Sequence, residues 1–452
     1  MRYHMDPNDF TAATDDGCIQ LAIDEASRTG CNRVIIPGFN KRRGAYIWII
    51  ENTILLPSHM EVVIDGAHLR MADGVMCQMF RNSNAMTALC KTPEGHQTGI
   101  IIRGVGNATL DGGKHNGLRE DNSGKDGMPL VYNNLTIYLH NVSDFRVEGL
   151  HIRDQRWWAI ACAFCWDGVF DNLHFAITDH SYRKGHPDWD NHPWRNQDGV
   201  DLRIGCHDIQ IRNITGETCD DIVALTALGN PGSGRFEDVY RCEHLSADIR
   251  NVTIRNITGY CNHCAMVRLL THFGNRLYNI TIDGVVDASP DDHSVVVNEG
   301  VRSAVGVKVG EYGYHKGDLA NLVKLGEMKN ISISNVFSNG YCGVDMNAAV
   351  ENVTIRDVFV GEKGRHAVSV ARISGGKHCS LKDEYNVTYA RNISISGVRF
   401  QGKREGACAF FFDALIAKNF RVRDVVYEGE LLQTCRPQEK GEEVIFENIT
   451  QQ

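Results

Sequence analysis

Asn251-Val252-Thr253-Ile254-Arg255-Asn256 is an asparagine followed by apolar, polar, apolar and polar residues and closed by a second asparagine. Alternation at period two with β-branched side chains marks a strand with one buried face. Asparagine tolerates left-handed backbone and bonds to its own neighbours, so it marks the corners where such a strand turns. The pattern returns at Asp208-Ile209-Gln210-Ile211-Arg212-Asn213, Asn279-Ile280-Thr281-Ile282-Asp283-Gly284, Asn330-Ile331-Ser332-Ile333-Ser334-Asn335 and Asn352-Val353-Thr354-Ile355-Arg356-Asp357. It continues at Asn392-Ile393-Ser394-Ile395-Ser396-Gly397 and Asn419-Phe420-Arg421-Val422-Arg423-Asp424, with weaker copies at Asn141 and Asn172. The tightest interval, Asn330 to Asn352, is 22 residues. That length suits one turn of a coil made of a few strands of three or four residues, with insertions filling the longer intervals. Little sustained 3.6-residue periodicity separates the copies, so crossover helices for a doubly wound sheet are not available. The fold class expected is all-β, a parallel β-helix running as one domain over residues 1–452.

The N-terminal stretch departs from the repeat. Asp15-Asp16-Gly17-Cys18-Ile19-Gln20-Leu21-Ala22-Ile23-Asp24-Glu25-Ala26 places Ile19, Ala22, Ile23 and Ala26 at helical spacing behind two acidic capping candidates. A short amphipathic helix there would cover the open end of a solenoid, giving a cap over about residues 1–30. Val34-Ile35-Ile36-Pro37-Gly38 and Ile54-Leu55-Leu56-Pro57-Ser58 then read as early strands stopped by proline. Asn213, Asn251, Asn256, Asn279, Asn330, Asn352, Asn392 and Asn448 also stand in Asn-x-Ser/Thr acceptor triplets. A coil that turns at the same place each time repeats its turn residue, which accounts for them without glycosylation.

The chain has 452 residues, 42% apolar and 23% charged, a globular composition that excludes disordered and collagen-like classes. Its net charge of −9 argues against nucleic acid as a partner, since phosphate binding needs a basic face. No segment gives about 18 consecutive apolar residues, so no membrane partner is expected. Met1-Arg2-Tyr3-His4-Met5-Asp6 lacks the apolar stretch of a secretory signal, and the location expected is cytoplasmic. The 15 cysteines sit singly in apolar runs such as Ala161-Cys162-Ala163 and read as reduced core residues. Cys162/Cys165 and Cys261/Cys264 have a zinc-like spacing, but residues three apart on a strand face opposite sides, so neither a metal nor a cofactor is expected. Nothing in the sequence speaks for an oligomer.

Thr14 to Ala26, followed by the Ile36-Pro37-Gly38 and Leu56-Pro57-Ser58 signals and Asp65-Gly66-Ala67, resembles the first coils of pectin-lyase-like β-helix enzymes. From about Trp157 to Lys308 the chain is similar to the polygalacturonase group, glycoside hydrolase family 28. The similarity lies in Asn196-Gln197-Asp198-Gly199-Val200-Asp201 and in Thr218-Cys219-Asp220-Asp221-Ile222-Val223-Ala224-Leu225. It implies a right-handed coil, catalytic turns over about residues 150–310, and metal-independent cleavage of a glycosidic bond in an oligosaccharide. It further implies that Asp220 is the general acid protonating the leaving oxygen, while Asp198 and Asp221 hold and activate the water.

The residues support that chemistry in their own right. Asp198 and Asp220 are 22 residues apart, the interval of the cleanest repeat, so they would stack on neighbouring turns about 4.8 Å apart. Stacked carboxylates repel, which raises one pKa and leaves a proton donor beside a proton acceptor. An acid and a base roughly 6.5–9.5 Å apart leave room for the water and give inversion. Adjacent residues of a regular strand face opposite sides, so Asp220 and Asp221 reach one cleft only where a strand ends or bulges. Asn196 and Asp201 are expected beside the acids as substrate-binding neighbours.

The remaining family features are incomplete. His263, in Cys261-Asn262-His263-Cys264, lacks the flanking glycines and is expected to orient the acid or bond a sugar hydroxyl. Val305-Gly306-Val307-Lys308 supplies the lysine that would grip a uronate carboxylate, with Gly306 where the arginine should be and Arg268 as the substitute from the neighbouring coil. Glycosidase is therefore the safer expectation than polygalacturonase. Between Asp179 and Arg195 a polar, turn-rich loop precedes Asp198, and its Trp189 and Trp194 are candidates to stack on sugar faces. A polysaccharide lyase of the same fold and a non-catalytic glycan-binding solenoid are the alternatives.

Overall fold

The asparagines of the repeat all hold left-handed backbone, with φ between 50° and 57° at Asn251, Asn256, Asn279, Asn330, Asn352, Asn392 and Asn419. Asp208, Asp357 and Asp424 do the same where aspartate takes the corner. Most side chains would lose roughly 1–2 kcal/mol in that conformation, whereas a short polar one bonds locally and accepts it. A computed structural model describes residues 3–118, 132–181, 186–188, 195–228, 241–262, 264–289, 305–311, 322–371, 387–434 and 441–452.

These corners make the strands longer than the turn signals suggest. One left-handed residue bends the chain without ending its hydrogen-bond ladder, so Ile249–Cys261 is a strand of 13 residues running through both Asn251 and Asn256. In that strand the three- or four-residue rungs expected from the sequence are segments of one bent strand, whereas Ile54–Leu56, Phe80–Asn82 and Val200–Leu202 are separate strands of that length.

The described residues fall into two compact units, Met1–Asp220 with Gly229–Ala247 and Asp221–Leu228 with Asp248–Gln452. Within the first unit, Ile54–Leu56, Phe80–Asn82, Ile137–His140, Ile160–Ala163 and Val200–Leu202 stack in parallel, each on the one before. A second stack joins Arg33–Pro37, Glu61–Asp65, Gln97–Val105, Val142–Glu148, Trp166–Ala176 and His207–Thr218. Within the second unit, Val223–Ala227, Ala265–Thr271, Val305–Glu311, Cys342–Asn347, His366–Ala371, Cys408–Asp413 and Glu430–Thr434 form one parallel stack. The other runs from Ile249–Cys261 through Leu277–Asp287, Met328–Ser338, Val350–Val360, Thr388–Phe400 and Leu415–Tyr427 to Ile445–Gln451.

Parallel register stacks like on like. Ile254, Ile282, Ile333, Ile355, Ile395 and Val422 lie in one inward column and are fully buried. Each contributes roughly 2 kcal/mol by leaving water. At the corner beside them the amides form a ladder. The Nδ2 of Asn279 donates to Oδ1 of Asn251, Asn330 to Asn279, Asn352 to Asn330, Asn392 to Asn352 and Asn419 to Asn392, at 2.8–3.1 Å. The nitrogen that a glycan would occupy is therefore engaged in the ladder at Asn279, Asn330, Asn352 and Asn392.

The helix expected near the N-terminus spans Asp15–Thr29, with Ile19, Ala22, Ile23 and Ala26 fully buried. Its cap is Thr14, whose hydroxyl accepts from the Gly17 N–H at 3.1 Å, rather than either aspartate. The acidic pair instead ties the helix to the following chain. Asp15 accepts from the Ile49 N–H and from Arg42 and Arg43, and Asp16 accepts from the Glu51 N–H and Asn52. Burial works to raise the Asp15 carboxyl, but these donors hold it below the usual carboxylate range.

Candidate active site

Asp198 sits on the turn that leads into the strand Val200–Leu202 of the first unit, and it is 3% exposed. Its carbonyl accepts from the Ala159 N–H at 2.9 Å and from Gln155 Nε2 at 3.2 Å. Gln197 returns the bond, donating through Nε2 to the Gln155 carbonyl at 2.5 Å. Two buried amides thus fasten consecutive turns at the residue before the aspartate. One turn further on, Cys219 donates its N–H to the Gln197 carbonyl at 3.2 Å and its thiol to Gln197 Oε1 at 2.9 Å. Residues 197 and 219 are bonded across 22 residues, so Asp198 and Asp220 follow them on neighbouring turns, as the interval requires.

The strand break needed at the acidic pair is present. His207–Thr218 ends before the pair and Val223–Ala227 begins after it, so Asp220 and Asp221 both lie between strands. The Thr218 hydroxyl donates to the Asp220 carbonyl at 2.6 Å and fixes that turn. Asp220 Oδ1 is shielded from solvent and accepts no hydrogen bond among the described residues, which leaves it available to a ligand.

Around Asp198 the first unit gathers Asn196, Asp201, Trp158 and Arg203. Asp201 is fully buried and stacks on Ala161, which stacks on Tyr138, on the outward face of the sheet. Trp158 is 5% exposed and donates its indole N–H to Asn196 Oδ1 at 2.9 Å, while the Arg203 guanidinium lies 4.4 Å over its ring. Trp157 is fully buried in the same apolar cluster. No sequence pattern marks Arg203, which follows the strand Val200–Leu202 directly. At the end of the loop, Arg195 reaches back to its start, donating to Asp179 Oδ2 and Ser181 Oγ, both at 2.9 Å. Burial works to raise the Asp179 carboxyl, yet the Ser181 and Arg195 donors bring it down to about 2. Trp189, Trp194 and His263 lie outside the described residues.

The second unit brings Asp221, Arg268 and Lys308 together. Asp221 is fully buried, accepting from the Ala265 N–H at 2.9 Å through Oδ1 and from Arg268 Nη1 at 3.1 Å through Oδ2. Arg268 and Lys308 are register partners on Ala265–Thr271 and Val305–Glu311, and Lys308 is 3% exposed. Arg268 thus stands next to the lysine, with one arm of its guanidinium committed to Asp221. Position 306 has no room for an arginine: a Cβ there would fall 2.7 Å from the Gly343 carbonyl oxygen.

Residues 50–231 match the family described as Glycosyl hydrolases family 28, a span that includes Asp198, Asp220 and Asp221. No curated protein matches the chain. Among solved structures it is similar to PfbA, a surface adhesin of Streptococcus pneumoniae, with 13% identity, a TM-score of 0.53, and 99% of this chain and 92% of that chain covered. It is similar to a hyperthermoactive exopolygalacturonase from Thermotoga maritima, with 14% identity, a TM-score of 0.50, and 98% and 91% covered. It also resembles an N-terminal fragment of gene product 12 of bacteriophage Phi29, with 10% identity, a TM-score of 0.53, and 99% and 70% covered. At such identities the likeness establishes the fold. The chain is a right-handed parallel β-helix that resembles the glycosyl hydrolases of family 28 across residues 50–231.

Proposed function

We propose that the protein is an inverting glycoside hydrolase that cleaves short oligosaccharides. Asp220 gives its proton to the leaving glycosidic oxygen, and Asp198 and Asp221 orient a water and take the proton it loses. The water oxygen bonds to the anomeric carbon as the bond to the leaving oxygen breaks, so two hydroxyl-bearing sugars result. The observation that carries this reading is the bonding of Gln197 to Cys219 within the stretch that matches the hydrolase family, because it sets Asp198 and Asp220 on consecutive turns. The bonds to Asp221 from Ala265 and Arg268 support its use as an acceptor rather than a donor. Thirteen described cysteines carry no disulfide, which supports action in a reducing, cytoplasmic compartment. Among the described residues no helix is long and apolar enough to cross a membrane.

Oligosaccharide cleavage followed by NMR tests the reading. The first-formed product should carry the anomeric configuration opposite to that of the substrate, and Asp220→Asn should lower turnover by about 100-fold or more with the thermal transition unchanged. A retained configuration overturns the inverting assignment. An unsaturated, ultraviolet-absorbing product would instead identify a lyase, and turnover unaffected by Asp220→Asn would remove the acid from its role.

A further inference from the structure

The strand edge that carries Asp221 continues along the second unit. Asp221 lies two residues before Val223–Ala227, and Cys264 directly precedes Ala265–Thr271. Further along the same stack, Tyr341 precedes Cys342–Asn347, Arg365 precedes His366–Ala371, and the turn Arg404 to Ala407 precedes Cys408–Asp413. Backbone bonds join these leads, from Arg365 N–H to the Tyr341 carbonyl at 2.8 Å and from Cys408 N–H to the Arg365 carbonyl at 2.9 Å. Arg365 is four rungs beyond Asp221, roughly 19 Å at about 4.8 Å per rung. A bound chain of several sugars spans that distance and a monosaccharide does not.

Two guanidinium groups meet at this place. Arg365 donates from Nη1 to the Tyr341 hydroxyl at 3.0 Å, and its Nη2 lies against Gly406, two residues from Arg404. All three side chains are half-buried, and among the described residues neither arginine has an acidic partner. Burial and the nearby Arg365 charge both push the Arg404 guanidinium below its ordinary value, so the two cations are held together against their repulsion. The Tyr341 hydroxyl accepts from Arg365 and keeps its own proton to donate, since burial raises the phenol above its ordinary value. Asp345 is on the same strand as the chain leaves Tyr341, and register places it beneath Ser369 and Phe411, which line the adjoining face. That carboxylate stands in register between Lys308 and Ser369 and forms no ion pair with Arg365 or Arg404 among the described residues.

We propose that Tyr341, Arg365 and Arg404 form a subsite for a carboxylate of an acidic oligosaccharide lying along this strand edge. The assignment rests on the hydrolase reading for where the bound chain begins, at Asp221. Arginine forks suit a planar carboxylate, and the tyrosine adds a third donor. The subsite stands apart from Arg268 and Lys308, so it confers preference for acidic chains of sufficient length rather than for one sugar at the scissile bond.

Titration calorimetry with hexagalacturonate, digalacturonate and the carboxyl-reduced hexamer tests the subsite without requiring turnover. The protein should bind hexagalacturonate more tightly than the reduced hexamer, and R365Q/R404Q should weaken hexagalacturonate by roughly tenfold or more while leaving digalacturonate unchanged. R404Q alone guards against misfolding, because that side chain makes no hydrogen bond among the described residues, and it should give part of the loss with an unaltered melting temperature. Equal affinity for charged and reduced hexamers, binding of neither, or wild-type affinity in R365Q/R404Q overturns the subsite. Turnover measured on the same samples is separate: a charge preference lost in the double variant, with no cleavage by the unmodified protein, supports the subsite and overturns the hydrolase reading.

Discussion

Asp221 is fully buried and its charge is answered by Arg268, which is itself only 16% exposed. Removing one partner of such a pair leaves the other uncompensated, a loss that exceeds what the pair contributes to folding. Arg268→Gln should therefore destabilise the protein by about 3 kcal/mol in urea unfolding and lower turnover as well. Adding Asp221→Asn to that variant should recover much of the stability and none of the activity; no recovery would show that Arg268 acts through other contacts. Sequence spacing exposes some of this site and conceals the rest. Asp198 and Asp220 are legible because one coil separates them, and the strand break at Asp221 follows from alternation. The Asp221 to Arg268 bond joins residues 47 apart across a coil of irregular length, so no local pattern announces it. Arg156 is harder still. It is fully buried and donates to the carbonyls of Gly112, Val75 and Ala72, partners whose identity a sequence does not reveal.

The asparagine corner decides where an element bends. Asn330 shows its two duties, since it holds φ at 55°, donates to Asn279 and accepts from Asn352. Asn330→Ala loses both amide bonds and puts alanine in left-handed backbone, for a combined destabilisation of about 2 kcal/mol. Asn330→Gly keeps the backbone relaxed and should lose less, and Asn330→Asp should keep the acceptor for Asn352 while losing the donor to Asn279. Thermal unfolding of the three variants separates these terms; equal losses would show that the ladder adds nothing to the backbone preference. The corner is also why the alternation understates the length of such an element. A turn former normally ends a strand, but a single left-handed residue leaves the ladder intact on both sides, so Ile249–Cys261 continues where the alternation stops. The helix cap shows the same limit in another form: Thr14, Asp15 and Asp16 are all competent caps, and the choice among them is made by distant donors at Ile49, Glu51, Arg42 and Arg43.

At the scale of the whole molecule, buried titratable groups set the response to acid. His366 is 3% exposed, and burial followed by the neighbouring Arg365 charge pushes its imidazole down to about 4. Below the ordinary value of 6.5 the unfolded chain takes up a proton that the fold refuses until about 4, so stability is full above the first value and falls toward the second. The loss should reach roughly 3 kcal/mol across that window, and His366→Gln should flatten it. A slope unchanged by the substitution would assign the acid response elsewhere. Asp111 acts lower down. Burial works to raise it, while His68, Arg153 and the Gly113 N–H hold it at about 2, so its contribution is present above the ordinary value of 3.8 and lost as pH falls through about 2. The repeat also has a bearing on how such a chain can change. Each rung of amides from Asn251 to Asn419 is aligned only to the rung before it, and the chain between consecutive rungs runs to 28, 51, 22, 40 and 27 residues without disturbing their contact. The coil works as a ruled page: insertions of almost any size can be written into the margins, and new ligand preferences acquired there, while the spacing of the lines is preserved.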